Sequence, residues 1–99
     1  MQTDQSIKED EGKPKLSLCP QGIIHEIARV REFGNKKYPE DSWKEVEERR
    51  YLDAALRHMS SMVSEGLDSK ADDSGLMHVS HAACNLAFII ELINKEVTK

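Results

Sequence analysis

The stretch from Val79 to Ile93 is apolar on almost every side when it is wound into a helix. Its apolar and small residues are Val79, Ala82, Ala83, Cys84, Leu86, Ala87, Phe88, Ile89, Ile90 and Ile93. A helix without a polar face is buried on all sides, and two further short helices in a chain of 99 residues cannot cover it. The stretch therefore predicts an all-α fold, a small antiparallel bundle of three main helices completed by oligomerisation, at least as a homodimer.

Helical periodicity and turn residues predict where the three helices lie. The first is predicted over residues 21–33, which carry one apolar stripe before a glycine. A capping box formed by Ser42 and Glu45 predicts a second helix over residues 42–64. The third is predicted over residues 75–95. Short loops rich in charged and turn residues separate these segments.

The segments before the first helix and before the third are expected to be non-helical. Residues 1–13 are polar and charged without periodicity and are expected to form a flexible arm. Pro14 and Pro20 bracket a short segment that is predicted to be extended, since proline restricts the residue before it. Ser74 is a good N-cap for the third helix. Residues 14–95 are thus expected to form a single helical domain.

Composition excludes several classes of protein. The net charge of −4 argues against binding along duplex nucleic acid, which requires a basic surface. No apolar run reaches the ~18 residues of a membrane span, and the first residues lack the apolar stretch of a secretory signal. Two isolated cysteines are too few for a disulfide scaffold. We expect a reduced, cytoplasmic protein without a membrane or duplex nucleic acid as partner.

Three polar residues interrupt the apolar third helix. His78, His81 and Asn85 lie at positions i, i+3 and i+7 and therefore project from one side. A His-x-x-His pair on a helix can bind a metal ion together with ligands from elsewhere. The alternative, favoured by spacing alone, is a pair of partly buried histidines that bond to backbone or to Asp. The place of His78 in the first helical turn favours function, because free N–H groups there attract phosphate.

The second helix and the loop before it offer further candidates. Arg50, Asp53 and Arg57 share one stripe, which is either a solvated ladder of ion pairs or a phosphate grip beside a metal-binding carboxylate. Residue types alone favour neither of these two interpretations. Tyr38 and Trp43, with two lysines in the same loop, could cover the base and phosphates of a nucleotide; the alternative is that the rings close the end of the bundle.

Several motifs together resemble one known family. They are Gly12-Lys13-Pro14, Leu16-Ser17-Leu18, Phe33-Gly34, Lys37-Tyr38, Trp43, Tyr51-Leu52-Asp53-Ala54, Arg57-His58, Asp73-Ser74-Gly75 and His78-Val79-Ser80-His81-Ala82-Ala83-Cys84-Asn85. In this order and spacing they resemble the phage-type dATP/dGTP diphosphohydrolase N-terminal domain family, which is thought to be related to the MazG-like all-α pyrophosphohydrolases. The resemblance implies a cytoplasmic, oligomeric nucleotide-binding domain that acts on purine (deoxy)nucleoside triphosphates and yields a monophosphate and pyrophosphate.

The resemblance also implies a divalent cation, Mg²⁺ or Mn²⁺, with Zn²⁺ as a further choice. The chain departs from the MazG-like carboxylate pattern, because His78 and His81 stand where a carboxylate pair is expected, and Mg²⁺ prefers oxygen ligands. Either the metal differs, or aspartates supply the oxygens, or the histidines contact phosphate directly without hydrolysis. A non-catalytic protein that sequesters a nucleotide or a nucleotide-derived signal is thus the alternative, and a purely structural helical module is a third.

On this basis each candidate residue receives an expected role. The residues expected to act in catalysis are Asp53 and His58. The residues expected to bind the nucleotide are Lys13, Lys37, Tyr38, Trp43, Arg57, His78 and Asn85. The residues expected to bind the metal are Asp53, His78, His81 and Asp73.

Overall fold

The computed structural model describes residues 9–97, with side chains to residue 95, as three α-helices and two short 3₁₀ turns. Helix α1 spans Gly22–Asn35, α2 spans Glu48–Glu65 and α3 spans His78–Val97. The 3₁₀ turns are Leu16–Leu18 and Ser42–Glu45. Within residues 9–97, extended backbone pairs only in a single bridge in the loop before α3. The predicted all-α fold of three main helices is confirmed.

Helix α3 is the centre of the fold. Both α1 and α2 pack against it, whereas no packing between α1 and α2 occurs in the part of the chain that is described. Tyr51 near the start of α2 meets Phe88 late in α3, and His58 further along α2 meets His81 early in α3. Helices α2 and α3 are therefore antiparallel. The space between α1 and α2, above α3, is left open.

The predicted start of the second helix at Ser42 is wrong. Residues Ser42–Glu45 form a 3₁₀ turn, and the extended backbone of Val46 (φ −100°, ψ 139°) separates it from α2. The hydroxyl of Ser42 donates to the carbonyl of Pro39 at 2.9 Å, so the capping box with Glu45 does not form. A serine after a proline turn can bond its own local backbone, and this bond competes with capping.

The predicted start of the third helix is wrong by three residues. Gly75 has a left-handed backbone (φ 73°) and cannot continue a helix. Instead Lys70 and Met77 form an antiparallel bridge, and the backbone N–H of His78 donates to Ser69 at 2.8 Å. Helix α3 begins at His78, so this residue does lie in the first turn, as predicted.

The segment between Pro14 and Pro20 is not extended as predicted, because Leu16–Leu18 form a 3₁₀ turn. Proline fixes its own backbone and restricts its neighbour, but the residues further inside the segment remain free to turn. The flexible arm predicted for residues 1–13 lies largely outside the described residues, which begin at residue 9. The single domain predicted over residues 14–95 stays a prediction.

The buried core is small and consists mostly of small side chains. Ala55 and Cys84 are almost fully buried between α2 and α3, and Ser80 donates a 2.6 Å hydrogen bond to Glu26 of α1. On the far side of α3, several large apolar residues stay accessible, among them Ile90 with 58% of its surface exposed. Helices α1 and α2 thus do not cover α3 on all sides, as the sequence predicted. None of the helices in the described part could span a membrane.

Candidate functional site

A cavity of about 630 Å³ opens between α1 and α2, and α3 forms its floor. It exists because the two outer helices pack on α3 and not on each other. The loop between α1 and α2 closes one end with Tyr38 and Trp43, and the loop before α3 contributes Asp73 at the other. A volume of this size suits a small-molecule ligand.

Aromatic rings form the end of the cavity near the start of α2. The rings of Trp43 and Phe88 stack with centroids 4.8 Å apart at 16°, and Tyr51 lies 4.8 Å from Phe88 on a tilt. The hydroxyl of Tyr51 donates to the carbonyl of Trp43 at 2.6 Å and so connects α2 to the preceding turn. Burial raises the pKa of Tyr51 and keeps it a neutral donor. These bonds hold a flat apolar surface in place.

Three arginines line the same cavity. Arg31 extends from α1, and Arg50 and Arg57 extend from α2. Arg31 donates to the carbonyl of Glu40 at 2.7 Å, and its guanidinium lies 5.2 Å from the centre of the Phe88 ring. Among the residues that the structure describes, Asp73 is the sole carboxylate of the lining. In a chain with a net charge of −4, this wall concentrates positive charge where arginine can bind an anion through paired N–H groups.

Histidines gather at the end of the cavity opposite the aromatic rings. The Nδ1 atoms of His58 and His78 lie 2.9 Å apart in a hydrogen bond, and the rings of His58 and His81 stack at 4.6 Å. Burial lowers the pKa of His58, and the neighbouring His81 and His78 lower it further, while Asp73 opposes them. Burial also lowers the pKa of His81 against the opposing effect of Asp73. Both rings therefore favour the neutral form.

Two polar side chains fix the early part of α3. Ser74 Oγ accepts the Leu76 N–H at 3.1 Å and shares a 2.6 Å hydrogen bond with His81 Nε2. The amide of Asn85 donates to the carbonyl of His81 at 2.8 Å. His81 thus has a defined orientation at the cavity wall, with its ring edge-on to Phe33 of α1 at 6.3 Å.

Over residues 3–99 the sequence matches the family described as dATP/dGTP diphosphohydrolase, N-terminal. The chain belongs to this family. A dATP/dGTP diphosphohydrolase of Salmonella phage PMBT28 is 39% identical over 92 residues, which are 93% of this chain and 31% of the phage protein. The chain therefore spans about a third of the length of that relative. No solved structure matches it.

The resemblance to the diphosphohydrolase N-terminal family, predicted from the motifs, is thereby confirmed. The motifs that carry it contribute to both ends of the cavity, since Trp43 belongs to the aromatic end and His58 and His81 belong to the other. The further relation to MazG-like enzymes stays a prediction.

The structure brings most of the predicted site residues to the cavity of this diphosphohydrolase-family domain. The predicted residues that line it are Tyr38, Trp43, Arg57, His58, Asp73, His81 and Asn85. His78 lies behind the wall, where it contacts His58 and Glu65. The arrangement places these seven candidates in one space, while their roles stay predictions.

Besides His78, three predicted residues do not line the cavity. Lys13 is exposed in the segment before α1, and Asp53 is exposed on a different face of α2 from His58. Lys37 does not line the cavity. Its ammonium lies 4.7 Å from the centre of the ring of Phe33, a residue that does line the cavity. Asp53 shares a sequence stripe with Arg57, but it lies five residues from His58, so these two side chains project about 140° apart around α2.

Sequence reasoning missed the roles of Arg31 and Phe88. Arg31 lies four residues after Ile27, in a helix whose apolar stripe predicts only packing. Phe88 is one of many apolar residues in α3. A signal existed for Arg31, because it precedes the Phe33-Gly34 motif by two residues. No sequence signal distinguishes Phe88 from its apolar neighbours.

The implied divalent cation stays a prediction, since the described side chains form no group that could hold it. In residues 9–95, no three imidazole, thiol or carboxylate groups converge in a way that could hold a metal ion. Of the imidazole nitrogens in the cluster, His58 Nδ1 and His78 Nδ1 bond each other, and His81 Nε2 bonds Ser74. Cys84 lines the cavity, but burial raises the pKa of its thiol to about 11 and keeps it protonated.

Proposed function

We propose that the cavity binds a purine (deoxy)nucleoside triphosphate and that the domain serves a nucleotide pyrophosphohydrolase of the dATP/dGTP type. The observation that carries the proposal is a cavity whose described lining has three arginines and two histidines against one carboxylate, in a chain whose net charge is −4. Such a wall binds a polyanion. The name of the phage relative, a dATP/dGTP diphosphohydrolase, supports a nucleotide as that polyanion.

The two ends of the cavity suggest how the nucleotide lies. Tyr51 and His58 are seven residues apart on α2, which corresponds to ~10 Å along a helix axis. A purine has a flat face that stacks on aromatic rings, and the rings of Trp43 and Phe88 offer one. The phosphates then extend toward Arg57 and the histidines, where each added negative charge strengthens the interaction.

We propose that the reaction is hydrolysis to a monophosphate and pyrophosphate, in the host cytoplasm where both cysteines stay free thiols. Phosphoryl transfer commonly uses a divalent cation, which neutralises the phosphate charge. Since the described side chains form no set that could hold one, we assign the cation to no residue of this chain, and the binding proposal does not depend on it. The alternative function, sequestration of the intact nucleotide, needs the same cavity and no cation.

A binding titration tests the proposal. Binding of dGTP or dATP is expected to change the fluorescence of Trp43, the single tryptophan of the chain, because it lines the cavity. Arg57→Gln should weaken triphosphate binding by about tenfold, corresponding to ~1.4 kcal/mol. Arg29→Gln is the matched control, since Arg29 lies on α1 outside the cavity lining. If both variants bind like the unchanged protein, the cavity is not the nucleotide site.

Product analysis separates the two functions that use the cavity. The protein is incubated with dATP, dGTP, ATP or GTP and with Mg²⁺, Mn²⁺ or Zn²⁺, and the nucleotides are separated by chromatography. Formation of monophosphate and pyrophosphate supports hydrolysis. Tight binding with intact nucleotide under every condition supports sequestration, and absence of any binding leaves only the structural module.

We also propose that the chain forms at least a homodimer through α3. Val79, Leu86, Ile90 and Ile93 are all exposed on this helix, each by 39% or more, and their spacing of seven, four and three residues places them on one stripe. A second copy of the stripe would bury it in a self-complementary interface. Light scattering should give at least a dimer mass at micromolar concentration, and Ile90→Glu should give the monomer. A monomeric mass for the unchanged protein contradicts this assembly.

A further inference from the structure

A row of three titratable side chains leads from the surface to the cavity. Glu65 Oε1, at the end of α2, lies 3.7 Å from Nε2 of His78. The other ring nitrogen of His78, Nδ1, lies 2.9 Å from Nδ1 of His58. Of the three, only His58 lines the cavity. His78 is 9% exposed, so its ring sits between the solvent-accessible carboxylate of Glu65 and the cavity wall.

The hydrogen bond between the two imidazoles fixes which nitrogen carries which proton. One Nδ1 must donate and the other must accept, because a neutral imidazole has one N–H and one bare nitrogen. The negative charge of Glu65 favours a proton on the nearer nitrogen of His78, which is Nε2. With its single proton on Nε2, His78 has a bare Nδ1 that accepts, and His58 Nδ1 is then the donor. This leaves Nε2 of His58 without a proton.

We propose that Glu65 and His78 are positioning residues, which hold His58 in the tautomer whose bare Nε2 accepts a proton in the cavity. The proposal rests on the proposed function, for which it names the base. His58 Nδ1 is engaged by His78 behind the wall, so the opposite edge of the ring is the part left to the cavity. The ring of His81, stacked on His58 at 10° between planes, restricts rotation out of this orientation.

The surroundings of His58 favour its unprotonated form. The charged and titratable groups that face it are His81 and His78 from α3, Arg57 from α2 and Asp73 from the loop. Burial lowers the pKa of His58, the first three groups lower it further, and only Asp73 acts in the other direction. A bare Nε2 on His58 is the state that the step requires.

The chemical step balances with water as the second reactant. The oxygen of a water molecule bonds to the α-phosphorus, and His58 Nε2 takes one proton from that water. The bond from the α-phosphorus to the bridging oxygen breaks, and its electron pair leaves with pyrophosphate. The products are a nucleoside monophosphate, pyrophosphate and an imidazolium that returns its proton to solvent. Such a base contributes ~10²–10⁴-fold to a rate.

Nitrogen-15 NMR of the intact protein at pH 7.5 tests the assignment without any nucleotide. The expected spectrum has His58 protonated at Nδ1 and His78 protonated at Nε2. In Glu65→Gln the population of this His78 tautomer should fall, while the exposed His25 on α1 stays unchanged as the control. A spectrum with His58 protonated at Nε2 overturns the proposal, whatever nucleotide binding shows.

Kinetics of three variants provide the second readout. His78→Ala should lower kcat by at least about tenfold, part of the general-base contribution, while KM changes little. His78→Asn should recover part of kcat, because its amide oxygen can accept the His58 N–H in place of Nδ1. His25→Ala should match the unchanged protein. Equal kcat loss in His78→Asn and His78→Ala, with both variants folded, refutes positioning. If the unchanged protein hydrolyses no nucleotide, the hydrolytic function fails, and the NMR result alone decides the tautomer.

Discussion

Replacing Phe88 with leucine tests whether the aromatic end of the cavity also stabilises the fold. The Phe88 ring contacts two others, Trp43 and Tyr51, each with a centroid distance of 4.8 Å. Each aromatic pair contributes ~0.5–1.5 kcal/mol beyond its buried area, so the loss of both amounts to about 1–3 kcal/mol. The change in side-chain volume adds less than ~1.5 kcal/mol. We expect the free energy of unfolding to fall by about 2 kcal/mol.

Urea unfolding followed by circular dichroism at fixed protein concentration measures this loss. With a denaturant slope of about 2 kcal/mol/M, a loss of ~2 kcal/mol moves the midpoint by ~1 M. A double-mutant cycle with Trp43→Leu isolates the contact between the two rings. The expected coupling energy is ~0.5–1.5 kcal/mol. A coupling energy below ~0.3 kcal/mol, which is the range of independent sites, would show that the rings do not stack as described.

Three further predictions follow from individual groups. Folding lowers the pKa of both His58 and His81, so as pH falls the unfolded chain binds protons at a higher pH than the folded chain does. The free energy of unfolding should therefore fall as pH drops below ~6.5. Urea unfolding at pH 7.5 and pH 5.0 measures this. Gly66→Ala should destabilise the protein by ~1–3 kcal/mol, since the φ of 120° at this position suits only glycine. A lower thermal midpoint of unfolding for the variant would show this. At pH 8 a thiol reagent should label exposed Cys19 quickly and buried Cys84 only upon unfolding.

Matched controls separate these effects from general damage. His25→Gln, on an exposed part of α1, should leave the pH dependence unchanged, whereas removal of a buried histidine should reduce it. Gly22→Ala adds a Cβ that meets nothing within 4 Å and should not lower the thermal midpoint. An unchanged stability between pH 7.5 and pH 5.0, a stable Gly66→Ala variant, or equal labelling of both thiols would each contradict the corresponding prediction.

The helices could be predicted from sequence because their signals are spread over many residues. Apolar spacing located all three, and the lack of a polar face correctly indicated that α1 and α2 leave part of α3 uncovered. The helix starts could not be predicted as well, because each depends on one or two local bonds. The hydroxyl of Ser42 bonds the carbonyl of Pro39 and does not form the capping box. The bridge between Lys70 and Met77 keeps the backbone before His78 out of α3.

The candidate site could be predicted only in part. The motif residues His58, His81 and Arg57 do meet in one cavity, because the helices that carry them, α2 and α3, pack against each other. Whether a stripe such as that of Asp53 and Arg57 turns toward a cavity depends on the rotation of α2 against α3. That rotation is set by tertiary packing. Glu65 approaches His78 across two elements, and nothing in the local sequence of either residue indicates this contact.

The missing contact between α1 and α2 has a consequence for the energetics of ligand binding. A molecule held between the two outer helices bridges helices that do not pack on each other. It thereby supplies an interface that the polypeptide itself lacks, and unfolding of either helix must release it. Ligand at 100 times its Kd should add ~2.7 kcal/mol to the free energy of unfolding, and protection of α1 amides from hydrogen exchange should rise together with that of α2.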